Sequence, residues 1–151
     1  MSRDSDRSKV YDAENELRYI LKRQGTIEMH GTHIAIPDER KFSNVEDVQR
    51  FVDAVLDHIG EERVVTVRKR AGQRRAHYEP QARVIAVPVD DTWALRESVV
   101  LHEVAHHLTA VDAPDHGQEF RRNLCDLLEK VLAPEARYLL QVAFFERGLT
   151  V

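Results

Sequence analysis

Residues 98–108 read SVVLHEVAHHL, and this stretch decides both the predicted fold and the predicted chemistry. It contains an HExxH motif, in which His102 and His106 are four positions apart and Glu103 follows the first histidine. On a helix, side chains four positions apart share one face, so both imidazoles can bind the same metal ion. Glu103 lies further round the helix, where it can reach a water molecule on that ion. This spacing is typical of zinc hydrolases.

The residues around the motif predict a helix from residue 93 to about residue 110. A helical wheel puts the two histidines, Glu103, Arg96 and His107 on one polar stripe. The opposite stripe is apolar, with only Glu97 interrupting it, and consists of Val100, Leu101, Val104, Ala105, Leu108 and Val111. This amphipathic pattern predicts a core helix that turns its histidines toward a cleft.

The composition is that of an ordinary globular protein, with 42% hydrophobic and 32% charged residues in a chain of 151. We expect a single domain over residues 1–151, with residues 1–8 flexible. The net charge of −4 argues against general binding to nucleic acid or to an anionic membrane. No apolar run is long enough to span a bilayer, and the polar N-terminus does not resemble a secretory signal. A cytoplasmic location is therefore expected.

The remaining pattern predicts an α+β fold, in which a small, mostly antiparallel sheet packs against helices around the central HExxH helix. Ser43 or Asn44 can cap a helix that Gly60 closes, and Asp115 with Gln118 resembles a capping box. Pro134 suits the first turn of a last helix. Helices are thus expected at residues 8–24, 45–59 and 93–110, from the cap at Asp115 to about residue 131, and from 134 onward, and strands at 26–29, 32–36, 63–68, 76–78 and 82–87. Residues 90–92 offer caps for the motif helix.

A catalytic zinc usually takes three protein ligands and keeps one position open, so the two motif histidines need a partner. His116 is favoured, because it follows His106 by ten residues and lies beyond a break at Pro114 that lets the chain double back. His107 is a poor choice, since it points about 100° away from its neighbour on the helix. Three acidic residues remain alternatives: Asp112, Asp115 and Glu119.

The sequence HEVAHH at 102–107, followed by DHGQEF at 115–120, resembles the SprT-like and related minimal zincins, which carry HExxH and a downstream HGxxF or HGxxW element. The chain is also similar to short actinobacterial proteins catalogued only as metallohydrolase candidates. The resemblance implies a minimal zincin fold with His102, His106 and His116 as zinc ligands and Glu103 as general base. Because Cys125 is the only cysteine in this sequence, we expect no Cys-rich zinc ribbon. Metzincins would need a histidine where Asp112 stands.

These features predict a zinc-dependent hydrolase, most simply a metallopeptidase that acts on a peptide or protein. Glu103 would accept a proton from the attacking water and pass it to the leaving amine, with zinc as Lewis acid. In the zincins that this chain resembles, a strand near the metal helix pairs with the substrate, and residues 82–87 are the natural candidate. Asp112 or Asp115 could orient a ligand histidine. The candidate transition-state donors are His77, Tyr78, Arg96 and His107.

Two alternatives to a hydrolase stay open. The first is a zinc-binding regulatory or interaction module with little turnover, although such a site has no use for the base Glu103 and usually fills all four positions with protein ligands. The second uses residues 68–75, where five positive charges in eight residues could contact nucleic acid. A solvated turn is the favoured explanation of this basic segment, since no aromatic ladder accompanies it and the net charge of the chain is negative. No membrane partner is expected.

Overall fold

A computed structural model describes residues 4–90 and 92–151, and its architecture is α+β, with five α-helices and two small sheets within that range. The helices are α1 (Arg7–Leu21), α2 (Val45–Ile59), α3 (Glu97–Leu108), α4 (Gln118–Val131) and α5 (Pro134–Glu146), with a short 3-10 helix at Thr92–Ala94. The strands are β1 (Thr26–Met29), β2 (Thr32–Ala35), β3 (Thr66–Lys69), β4 (His77–Glu79) and β5 (Val84–Val87). The expected α+β class is confirmed.

The chain forms two compact units, one of residues up to Glu39 together with Thr109–Val151 and one of Arg40–Leu108. In the first, α5 packs against both α1 and α4. Its core is made of apolar side chains from these helices, which include Val10, Leu17, Phe120, Leu124, Leu128, Leu140 and Phe144. In the second, α2 packs on β3, and α3 packs on β4 and α2. The expected single domain over residues 1–151 stays a prediction.

The first unit also holds an antiparallel hairpin of β1 and β2, in which Thr26 pairs with Ala35 and Met29 with Thr32. Its two-residue turn consists of His30 and Gly31, which both have positive φ angles, 51° and 79°. Positive φ at both positions is typical of the tight turns that match the twist of a hairpin. Both strands were expected here, and β2 ends one residue earlier than predicted.

The second unit contains a mixed sheet in the order β3-β5-β4, in which β5 pairs parallel with β3 and antiparallel with β4. The prediction that residues 82–87 would receive a substrate at a sheet edge is wrong, because β5 is the central strand and both of its edges are paired. The predicted strand at 63–68 begins three residues late, at Thr66. The reason is that Arg83 has a positive φ of 53°, so β5 starts only at Val84, the partner of Thr66.

Helix α3 begins at Glu97 and not at residue 93 as predicted. An antiparallel bridge joins Lys41 and Arg96, in which Phe42 N–H donates to Leu95 O at 2.8 Å and Glu97 N–H donates to Arg40 O at 3.1 Å. This pairing holds the backbone out of the helix until Glu97. Asp91, one of the proposed caps, lies outside the described residues.

At the other helix ends, some of the caps predicted from neighbouring residues are found and others are not. Asn44 caps α2 by accepting from Asp47 N–H at 2.8 Å, and Gly60 ends it in the left-handed conformation, as predicted. Pro134 opens α5, also as predicted. The capping box at Asp115 is wrong, because α4 begins after Gly117, which has no side chain to cap it. Helix α1 ends at Leu21, three residues earlier than predicted.

Helix α3 is buried along most of its length, as expected for a core helix, because every residue from Glu97 to Ala105 is buried. Glu97, which interrupts the apolar stripe, is buried together with a partner: its carboxylate accepts from Arg40 Nε at 2.6 Å and from Arg40 N–H at 3.1 Å. Hydrogen bonds to a charged donor make the burial of a carboxylate tolerable.

Candidate metal centre

The two motif histidines face each other on α3. The Nε2 atoms of His102 and His106 are 3.2 Å apart, and their ring planes are inclined by 72°. Two nitrogens that bind one tetrahedral zinc, each at about 2.0–2.1 Å, lie about 3.3 Å from each other. The observed separation therefore fits two ligands of one ion, as the HExxH spacing predicts.

The members of the HExxH motif differ in how deeply they are buried. His102 and Glu103 are buried, with 2% and 6% of their surface exposed, whereas His106 is only partly buried. Glu103 belongs to the same helical turn as the two histidines. The role of Glu103 as general base stays a prediction.

His116 lies in the segment between α3 and α4, two residues before α4 begins, and it is buried. Its Nδ1 is 2.7 Å from Oδ2 of Asp4, and its ring contacts those of Tyr11 and Phe120, with centroids 5.3 and 4.9 Å away. A carboxylate accepts hydrogen bonds, so Nδ1 carries the proton in the neutral ring and Nε2 carries the lone pair. Nε2 is therefore the nitrogen suited to a metal.

The turn that carries His116 is built from close packing as well as hydrogen bonds. Gly117 N–H donates to Pro114 O at 3.1 Å, and a Cβ added to Gly117 would lie only 3.0 Å from the Cβ of Pro114. A larger residue here would therefore need Pro114 to shift by a few tenths of an ångström, whereas the φ of −76° is ordinary for any residue. The buried Arg121 donates from Nη1 to His116 O at 2.8 Å.

His102, His106 and His116 together form a possible metal-binding group, because one ligand atom of each lies within 4.8 Å of the other two. Three neutral imidazole nitrogens suit zinc and also suit other first-row transition metals. The donor set therefore fits a metal ion, and the predicted grouping of these three histidines is confirmed. The identity of the ion stays a prediction.

The acidic alternatives for the third ligand do not join this group within the described residues. Asp112, Asp115 and Glu119 are exposed, and the carboxylate of Glu119 accepts from Ala110 N–H at 3.2 Å. The carboxylate that contacts His116 is that of Asp4, and the orienting role suggested for Asp112 or Asp115 stays a prediction. Sequence reasoning missed Asp4, which is 112 positions away from its partner and belongs to a segment expected to be flexible.

The described part of residues 1–8 makes specific contacts. Asp4 contacts His116, Asp6 contacts Arg121, and Arg7 begins helix α1. Residues 1–3 lie outside the described part of the chain. The expected flexibility of this segment in solution stays a prediction, but its two aspartates contribute to the surroundings of a candidate ligand.

Of the four candidate transition-state donors, Tyr78 and His107 contact each other. Tyr78 Oη is 2.7 Å from His107 Nδ1, and both residues are buried. Burial raises the pKa of Tyr78 and lowers that of His107. His107 Nε2 is buried and has no hydrogen-bond partner among the described residues. This pair thus links β4 to α3.

The other two candidate donors have different surroundings. Arg96 donates from Nε to Trp93 O at 2.9 Å and places its guanidinium 5.7 Å from the centre of the Trp93 ring. His77 is exposed on β4. Neither residue belongs to the histidine group.

The basic segment, residues 68–75, joins β3 to β4 and is mostly exposed. Arg68 pairs with Glu79 at 2.5 Å, and Arg70 donates from Nη1 to Arg75 O at 2.6 Å. Arg68 therefore pairs with a residue of β4, and Arg70 contacts the main chain within the segment. The suggested association with nucleic acid stays a prediction.

No protein-family model, curated protein or solved structure matches this chain. The likeness to SprT-like zincins rests on the HExxH and HGxxF residues themselves and stays a prediction. Among the described residues, none of the helices has both the length and the apolar character that crossing a membrane requires.

Proposed function

We propose that this protein is a zinc-dependent hydrolase, most simply a metallopeptidase. The observation that carries the proposal is the grouping of three histidine nitrogens with a buried glutamate in the same helical turn as two of them. Three protein ligands are the usual complement of a catalytic zinc, whereas structural sites usually take four. The pattern of the HExxH and HGxxF residues supports the same conclusion.

The proposed chemistry divides between the ion and the chain. When bound, zinc supplies a Lewis acid that polarises a carbonyl and makes water a better nucleophile at neutral pH. His102, His106 and His116 hold it through neutral imidazoles. Glu103 takes a proton from the attacking water and returns it to the leaving amine.

The mixed sheet suggests where an extended peptide would bind. With β5 in the centre, β4 is the edge strand that packs against α3, the helix with His102 and His106. An edge strand presents backbone N–H and C=O groups that can pair with an extended peptide. A peptide paired along His77–Glu79 would run beside the helix that carries the base, which favours a protein substrate.

Replacement of Glu103 by glutamine tests the role of the base. Glu103→Gln keeps the size of the side chain and should still bind one zinc per chain. Its rate of hydrolysis of a dye-labelled unfolded protein should be lower by about 10²–10⁴-fold, since glutamine cannot accept the proton. The matched control is Glu62→Gln, which makes the same change at an exposed residue and should leave hydrolysis as it is.

The possible outcomes separate the alternatives. If the purified wild type binds zinc with a one-to-one stoichiometry but hydrolyses nothing, the zinc-binding module replaces the hydrolase. If the Glu103→Gln variant hydrolyses the substrate at the wild-type rate, Glu103 is not the base. If His116→Ala binds zinc as tightly as the wild type, the set of three ligands is wrong.

A further inference from the structure

The contact between Asp4 and His116 connects the candidate metal centre to the start of the chain. We propose that Asp4 positions His116 for metal binding, so that the residues before α1 control the affinity of the site for its ion. This inference rests on the proposed metal site and adds to it a residue that no motif contains. Asp4 Oδ2 lies 2.7 Å from His116 Nδ1, with side-chain exposures of 25% and 6%.

The carboxylate acts on the ligand in two ways. By accepting the Nδ1 proton, it holds the imidazole in the form whose Nε2 has the lone pair, and it makes that nitrogen a stronger base. The flanking rings of Tyr11 and Phe120 restrict how far the imidazole can tilt. His116 is therefore oriented before any metal binds, which reduces the entropy lost on binding.

Asp4 contacts His116 through one carboxylate oxygen, Oδ2, while its second oxygen, Oδ1, is buried and makes no hydrogen bond to any described residue. Hydrogen bonds to a charged acceptor are about twice as strong as neutral ones.

A second contact holds the same segment in place. Asp6 accepts from Arg121 Nη1 at 2.9 Å, and the same nitrogen donates to His116 O at 2.8 Å. Arg121 also donates from Nε to Thr150 O at 2.8 Å. The segment with Asp4 and Asp6 thus holds His116 by its side chain and, through Arg121, by its main chain.

Three variants test this role: Asp4→Ala, Asp4→Asn and the control Asp12→Asn, which changes an exposed aspartate on α1. Zinc affinity is measured by competition with a chromophoric chelator. Removing an orienting partner of a zinc ligand typically costs about 10–100-fold in affinity, and we expect this loss for Asp4→Ala. Asp4→Asn keeps an acceptor but loses the charge, so its loss should be smaller. The control should match the wild type.

A spectroscopic measurement separates positioning from a general loss of structure. Cobalt(II) replaces zinc, and its visible absorption reports the ligand geometry. We expect the cobalt bands of the Asp4 variants to shift or weaken, while the far-ultraviolet circular dichroism of the metal-free proteins stays that of the wild type. Asp12→Asn should change neither spectrum.

The outcomes also distinguish this inference from the proposed function. If the wild type binds no zinc, or binds it independently of His116, the metal site itself fails. If wild-type binding is tight and depends on His116, but both Asp4 variants bind zinc and cobalt as the wild type does, only the role of Asp4 is overturned. Should Asp4→Ala not fold, the Asp4→Asn variant decides alone, since it preserves shape.

Discussion

At the scale of single residues, the buried polar side chains carry specific pairings. The pairs, joined by hydrogen bonds or ion pairs, are Glu97 with Arg40, His116 with Asp4, Arg121 with Asp6, and Tyr78 with His107. Each pairing offsets the cost of removing a polar group from water. These pairings bear directly on the stability of the protein.

The pair of Tyr78 and His107 yields a prediction about stability. Tyr78→Phe leaves both ring nitrogens of the buried His107 without a partner among the described residues, and should lower the free energy of unfolding by about 1–3 kcal/mol. His107→Leu should cost a similar amount, because it leaves the buried tyrosine hydroxyl unsatisfied. The double variant should lose clearly less than the sum of the two, since it removes both polar groups. Urea titrations of the four proteins measure this, and strictly additive losses would contradict it.

At the scale of secondary-structure elements, the ends of helices α2 and α3 meet at Arg63. Its side chain pairs with Glu61, just beyond the end of α2, and donates from Nη2 to His107 O at 3.2 Å in the last turn of α3. A cation near the carbonyl end of a helix is favourable for the helix dipole. The hydrogen bonds from Arg63 lower the pKa of Glu61 from its ordinary value to about 2.

This lowered pKa predicts a pH dependence of stability. Because the folded pKa is below the unfolded one, the ionised Glu61 stabilises the protein above about pH 4.5, and the effect is lost as the pH falls toward 2. Arg63 is about half exposed, so we expect the ion pair to contribute only about 1 kcal/mol to the free energy of unfolding. The melting temperature of the Glu61→Gln variant should therefore be lower than that of the wild type at pH 7, and the two should converge near pH 2.

A control belongs with the Glu61 measurement. Glu62→Gln alters the neighbouring exposed carboxylate, and its melting temperature should match that of the wild type at every pH. A difference between Glu61→Gln and the wild type that stays constant from pH 7 to pH 2 would show that the ion pair is not its cause.

The elements also show how far sequence reasoning reaches. The caps at Asn44 and Gly60 and the start of α5 at Pro134 were predictable, because each depends on neighbours within a few residues. The start of α3 was not, since it depends on pairing between Arg96 and Lys41, far apart in sequence. The central place of β5 was missed for the same reason, because strand order arises from pairing between distant segments.

At the scale of the whole molecule, the metal should contribute to folding. A ligand that binds only the folded state stabilises it by about 2.7 kcal/mol when its free concentration is 100 times its Kd. For a chain of this size, that corresponds to a rise of about 5 °C or more in the melting temperature. We expect this rise with zinc and its reversal by a chelator. In His116→Ala, zinc should raise the melting temperature much less, and an undiminished rise would place the stabilising ion elsewhere.

The pairing of His102 and His106 was predictable from the sequence alone, because a spacing of four positions on a helix puts two side chains on one face whatever surrounds them. The sequence also indicated His116, through the break at Pro114 and the HGxxF pattern. The contact of His116 with Asp4 could not be read from the sequence, since the two residues are 112 positions apart and meet only in the folded chain. Local geometry follows from neighbouring residues, whereas a contact between distant segments depends on how the whole chain folds.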